Sequence, residues 1–185
     1  AYTVQLHQPI TDALALKGIS MIAENLEKAY ENGEDREARR NMMIASTIGG
    51  MAFISSNVGA VHAFAETVGA WFDTPHGVAN SLFLPYIMEF NIPACPERFA
   101  DIADAMGIER EESMSDEQYA LKAVEYVKAL NRKLNIPTIK EIKGITEERF
   151  EAIAERSANN VLSNDNARKI TKEDYLELLK KAYNE

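Results

Sequence analysis

One cysteine, six prolines, three histidines and a single tryptophan leave this 185-residue chain few ways to staple or interrupt itself. The lone Cys95 has no internal partner for a disulfide, and its neighbours Ala94 and Pro96 give it no reactive setting, which fits a reducing cytoplasm. No apolar run is long enough to span a bilayer, and no signal-peptide pattern opens the chain. Positive charge is scarce: 20 Lys and Arg face 29 Asp and Glu, a formal net charge of −9. Such a surface repels nucleic acid and anionic membranes, so neither is expected as a partner. There is no glycine-rich loop of the kind that cradles a dinucleotide, no sustained strand-like alternation, no repeat and no low-complexity tract. What remains is a chain that is 46% hydrophobic and patterned for helices. The expectation is an all-α fold, one multi-helix domain over residues 1–185.

Apolar residues recur at helical spacing from Thr11 to about Asn32 (Leu14, Ile19, Ile22, Leu26, Tyr30), and Asn32-Gly33 stops that helix. Asp35 opens a second, charged early and apolar later at Met42, Met43, Ile44, Met51 and Phe53. Gly49-Gly50 inside it costs about 1 kcal/mol per glycine relative to alanine and predicts the close approach of another backbone. The seven methionines read as core filler. Further helices are expected at 97–106, 115–134, 146–158 and 171–183, with Ser115, Thr146 and Thr171 as caps.

The informative stretch is Gly59 to Asn91, which holds two of the three histidines; His7 reads as a surface or loop residue. Val61, Phe64, Val68, Trp71 and Phe72 form one apolar helical stripe expected to face a core. His62, Glu66, Gly69 and Asp73 form a neighbouring stripe, where Gly69 leaves room for a close approach. Fourteen residues separate His62 from His76. On an unbroken helix that is about 21 Å, too far to share a ligand. Asp73-Thr74-Pro75 breaks it, with Thr74 suited to an N-cap and Pro75 to a first helical position. His76 then falls in the first turn of the next helix, where the dipole favours the neutral ring. A hairpin of the two helices brings the imidazoles together. Further on, Pro85 is expected to kink its helix by removing the hydrogen bond to the Ser81 carbonyl.

These residues carry a resemblance. The run from Gly59-Ala60-Val61-His62 through Asp73-Thr74-Pro75-His76-Gly77 and Asn80 to Leu84-Pro85 and Met88-Glu89-Phe90-Asn91 resembles the metal-binding core of the iron-dependent (group III) alcohol dehydrogenases. The resemblance implies that His62 and His76 are metal ligands, for Fe(II) or Zn(II). Where the family usually carries a second histidine, one turn after the first and thought to relay a proton, this chain has Glu66. A family aromatic bordering the substrate pocket maps onto Phe72, and a family glycine onto Gly50. Pro9 to Lys17 resembles a stretch that in the family follows the segment supplying an aspartate and a histidine as the other ligands, and Ala1-Tyr2 match that segment's last two letters. Asn166-Ala167-Arg168-Lys169-Ile170-Thr171 resembles a family N-P-R-x-P-T stretch with both prolines replaced.

The resemblance therefore implies the C-terminal metal-binding part of an NAD(P)-linked oxidoreductase that interconverts a small alcohol with an aldehyde or ketone. NAD or NADP would be held mainly by an N-terminal α/β nucleotide-binding domain outside these residues. The residues alone are expected to be inactive, and the family's habit implies a homo-oligomer. Two other readings stay open. One is a non-catalytic helical binding or assembly module, in which the histidines point apart or are sealed in a core. The other is a zinc-dependent polyol dehydrogenase of the same superfamily.

Overall fold

The computed structural model describes residues 1–185, and the fold is all-α. The helices are α1 (Pro9–Glu31), α2 (Arg36–Ser56), α3 (Ala60–Phe72), α4 (His76–Asn91), α5 (Pro96–Ala105), α6 (Asp116–Lys133), α7 (Phe150–Ala158) and α8 (Lys172–Asn184). Short 3-10 turns occupy Ile92–Ala94, Ile139–Glu141, Glu147–Arg149 and Val161–Asp165. The chain forms two compact units, Ala1–Asn57 with Ile92–Tyr126, and Val58–Asn91 with Val127–Glu185. No single helix is long and apolar enough to cross a membrane.

In the first unit α1 packs on α2 through small residues. Thr11, Gly18 and Asn25 on α1 and Ala38, Ala45 and Ala52 on α2, each set at seven-residue spacing, are buried. A Cβ at Gly18 would lie 3.6 Å from Ile48 Cγ2 and 3.9 Å from the Ala45 carbonyl, so the two backbones run close. Asn41 Nδ2 donates to Asn25 Oδ1 at 3.0 Å across the seam. This arrangement refines one expectation and corrects another. The approach expected at Gly49-Gly50 is made from the other side: a Cβ at Gly18 would lie 4.0 Å from Gly49 N, whereas nothing lies within 4 Å of a Cβ added at Gly49 or Gly50. Met43 and Met51, read as core filler, are 74% and 55% exposed. A close seam admits alanine and glycine and turns the bulky side chains outward.

The segment before α1 is clipped down by polar contacts. Tyr2 donates to Asp101 Oδ2 at 2.5 Å, the Arg98 guanidinium lies 3.9 Å from the centre of the Tyr2 ring, and Arg98 donates to Tyr2 O and to Asp12. His7 keeps its surface reading, with Nδ1 3.3 Å from Asp12 Oδ2. In α6, Ser115 Oγ accepts from Gln118 N while Gln118 Oε1 accepts from Ser115 N, a reciprocal cap. Fully buried Tyr119 places its hydroxyl 2.8 Å from Asp104 Oδ1 and 2.5 Å from the Ile108 carbonyl. Burial first, then the Asp104 carboxylate, pushes its pKa up to about 12. A phenol raised above its unfolded value of 10 contributes stability in full below pH 10 and loses it as pH climbs through 12. Denaturant midpoints measured from pH 9.5 to about 12 are expected to fall, and Tyr119→Phe to make that alkaline limb shallower, the rest coming from Tyr2, Tyr86 and Tyr175, which are raised in the same way.

The second unit has the larger aromatic core. Phe64 of α3 stacks on Phe83 of α4 at 4.0 Å between centroids and meets Tyr175 of α8 edge-on at 4.6 Å, with Val68, Ile87, Ile153 and Leu179 filling around them. α4 continues through Pro85, which cannot donate to the Ser81 carbonyl. That carbonyl instead accepts from Asn131 Nδ2 of α6 at 2.7 Å. Asn131→Ala orphans it, with an expected loss of about 1–3 kcal/mol in urea unfolding. The helix expected over 146–158 begins instead with a 3-10 turn, and α7 proper starts at Phe150; Thr146 makes no side-chain cap. Thr171 caps α8 as expected, paired reciprocally with Asp174.

Candidate metal centre

α3 has no side-chain cap of its own, because Gly59 stands at its N-cap. The free Ala60 N–H donates instead to Asn166 Oδ1 at 3.3 Å, and Asn166 is locked to Asn91 of α4 by two reciprocal amide bonds of 3.0 and 2.7 Å. One buried asparagine thus fixes the start of α3 and ties it to the end of α4. This is where the Asn166-to-Thr171 stretch acts.

The other end of α3 is closed by the chain itself. Asp73 adopts a left-handed conformation (φ 49°), which a short polar side chain tolerates, and turns the backbone back. A Cβ at Gly69 would lie 3.3 Å from the Thr74 carbonyl, so the room left by that glycine is taken by the turn. Thr74 is not the side-chain cap expected of it: its Oγ1 is buried without a partner. The Pro75 carbonyl accepts from Ala79 N at 2.9 Å, so Pro75 takes the N-cap position and α4 starts at His76.

The hairpin brings His62 and His76 together, ring centres 5.3 Å apart and planes tilted by 54°. Two imidazoles that share one ion at about 2.1 Å from each nitrogen hold their centres roughly 5 Å apart, so the spacing suits a common cation. Burial, then the charge of His76, lowers the pKa of half-buried His62, favouring the neutral ring that a metal needs. His76 is exposed. No group of three or more His, Cys, Asp or Glu side chains converges anywhere, so these two rings are the donors this chain offers.

Glu66, one turn after His62, is exposed, and its Oε2 accepts from Asn160 Nδ2 at 2.7 Å. Asn160 Oδ1 in turn accepts from Leu162 N at 3.0 Å. Phe72 is half-buried against Gly144, with the Arg149 guanidinium 5.8 Å from its ring centre. Trp71, expected in the core, is 39% exposed and lies beneath Arg156, because α3's buried face runs through Ala60, Ala63, Phe64, Thr67 and Val68. Gly144 has φ +95°, and a Cβ there would sit 3.1 Å from Phe72 Cδ1. Gly144→Ala should therefore cost about 1–3 kcal/mol, read by chemical denaturation, with the Phe72 ring displaced. A separate cleft of about 260 Å³ is lined by Tyr86, Lys128, Asn131 and Ile136, without either histidine.

Reading along the sequence missed Asn80, whose Nδ2 lies 3.0 Å from His76 Nε2, and also Asn160 and Asn166, as contributors. Asn80 had a signal, lying one turn beyond His76. Asn160 had none, being 94 residues from the carboxylate it holds.

An all-helical fold carrying this histidine hairpin defines the class. The model of the Fe-containing alcohol dehydrogenase family, C-terminal, matches residues 1–183, and the chain belongs to that family. Among its relatives, alcohol dehydrogenase 4 of Saccharomyces cerevisiae is 39% identical over 186 residues, covering 99% of this chain and 47% of the relative. The NADPH-dependent butanol dehydrogenase of Clostridium saccharobutylicum is 36% identical over 187 residues, with the same coverage of each. The structure of an alcohol dehydrogenase from Oenococcus oeni superposes with a TM-score of 0.94 at 39% identity, over 98% of this chain and 47% of that one. The chain thus spans about half the length of the relatives it matches.

Proposed function

We propose that residues 1–185 are the C-terminal helical metal-binding domain of a metal-dependent, NAD(P)-linked alcohol dehydrogenase, in which His62 and His76 are two of the metal's ligands. The observation that carries this reading is the pair of rings 5.3 Å apart across the α3–α4 hairpin, within a member of this family. A bound Fe(II) or Zn(II) would polarise the substrate oxygen and lower the alcohol's pKa toward neutral, which favours hydride loss to a nicotinamide. The chain's own residues do the rest. The hairpin orients the imidazoles, and burial lowers the His62 pKa, which favours its neutral form. Glu66, aimed by Asn160 and open to water, carries the proton between site and solvent in place of an imidazole. Phe72, pinned against Gly144, forms part of the wall on which a small alcohol or aldehyde rests. The remaining ligands and the NAD or NADP site belong to the portion of the relatives' length that lies outside these residues, and the intact enzyme assembles from several copies.

The reading of the histidines as structural residues of a non-catalytic module required rings that point apart or are sealed in a core. They are adjacent, and one is exposed. The residues do not choose between iron and zinc, or between a simple alcohol and a polyol.

The test is made on the intact protein loaded with Fe(II) or with Zn(II): small alcohols are oxidised with reduction of NAD or NADP. Metal binding without nicotinamide-linked turnover on any small alcohol would overturn the proposal. The 185-residue chain alone should turn over nothing and bind metal weakly, because two donors rarely suffice. Tight stoichiometric binding by that chain would contradict this.

A further inference from the structure

We infer that Asn80 is a positioning residue for the metal site, holding the His76 imidazole with its proton on Nδ1 and its Nε2 unprotonated, accepting from the Asn80 amide. The inference rests on the reading of His76 as a ligand, and adds which nitrogen is offered and what keeps it available.

The argument is one of donors and acceptors. Asn80 Nδ2 lies 2.9 Å from the His76 carbonyl and 3.0 Å from His76 Nε2. The carbonyl only accepts, so the amide nitrogen, not its oxygen, must face it; the flipped carboxamide would set two oxygens 2.9 Å apart. With one hydrogen committed to the carbonyl, the second points at Nε2, which must then accept. A neutral imidazole that accepts at Nε2 carries its proton at Nδ1. Asn80 has no other polar attachment to explain its pose, since its Oδ1 is buried without a partner. The spacing of four along α4 makes the contact local to the helix that begins at His76.

Free histidine prefers the opposite tautomer, with the proton on Nε2, so the amide reverses an intrinsic preference and leaves the outer nitrogen ready to bind. In the metal-free protein the amide hydrogen stands in for the cation at that lone pair. A cation held at Nε2 would take the place of that hydrogen, and the bond from Asn80 to the His76 carbonyl would still position the carboxamide.

The decisive measurement is the pair of ¹⁵N shifts of the His76 ring in the metal-free protein, at a pH where the ring is neutral. The expected result is a protonated Nδ1 and an unprotonated Nε2, reversed in Asn80→Ala and reversed more completely in Asn80→Asp, whose carboxylate accepts a hydrogen from Nε2. A wild-type ring protonated at Nε2 overturns the inference without any variant having to fold. So does a tautomer unchanged in a folded Asn80→Ala. Adding Zn(II) separates this from the broader reading. If the wild-type ring has the expected tautomer and both His62 and His76 are unmoved by the ion, the metal assignment fails while Asn80's control of the ring stands. If both rings respond to the ion but His76 began with Nε2–H, only the Asn80 inference fails.

Discussion

His62→Ala in the intact enzyme is expected to lower metal-dependent turnover by roughly a thousandfold, about 4 kcal/mol of transition-state stabilisation, and to strip the purified protein of most of its metal. His76→Ala should do the same. The reason lies in the donor count. This chain brings two imidazoles to one point and no third ligating side chain with them, so removing either halves its share of the donor set and leaves the ion short of the four ligands a tightly held site needs. Because the two act as a unit, the double variant should be little worse than either single one. Folding is not the confounder: His62 is half-buried beside the core and His76 is exposed, so the metal-free variants should keep their thermal midpoints within a few degrees. Variants that retain full metal content and full turnover would remove the basis for the site.

The second large effect is on stability. Asn166→Ala is expected to cost about 2–4 kcal/mol, lowering the thermal midpoint by roughly 5–15 °C for a chain of this size. Asn166 is 3% exposed and Asn91 4%. Truncating Asn166 leaves the Asn91 carboxamide and the Ala60 N–H without the partners they have across the core. Buried polar groups deprived of a partner cost more than the bond itself contributed. A double-mutant cycle adds a sharper check: Asn91→Leu with Asn166→Leu should cost less than the sum of the singles, since neither variant side chain then strands the other. Since Asn166 sets where α3 begins, the weakened variant should also show a changed environment at His62, visible in its ring resonances before global unfolding. A loss below about 1 kcal/mol for Asn166→Ala would show that the asparagine pair does not hold the hairpin.

Much of the site was legible in the linear chain because its signals are local. The helix break at Asp73-Thr74-Pro75 and the position of His76 in the first turn of a new helix follow from backbone preferences within a few residues, and the structure has both. Glu66 on His62's side of α3 follows from helical periodicity alone. Even here the cap was misassigned, because a threonine hydroxyl is a cap only if the backbone presents it an N–H, and Thr74 Oγ1 is buried without one. In α2 the methionines were read as core filler, and the structure turns two of them outward. Small residues, which carry almost no hydrophobic signal, were the buried ones, while Met43 and Met51 stand exposed.

By itself the sequence determined that the chain is helical, where its helices break, and that two histidines flank one such break. Each of these depends on side chains close in the chain. Only the tertiary structure decided which polar groups answer for one another: Asn131 for the carbonyl that Pro85 abandons, Asn166 for the uncapped start of α3, and Asn160 for Glu66. Those partners lie 50, 106 and 94 residues apart. A hydrogen bond is set by distance and angle in space, and nothing in the spacing of an asparagine along a chain says which distant donor or acceptor it will meet.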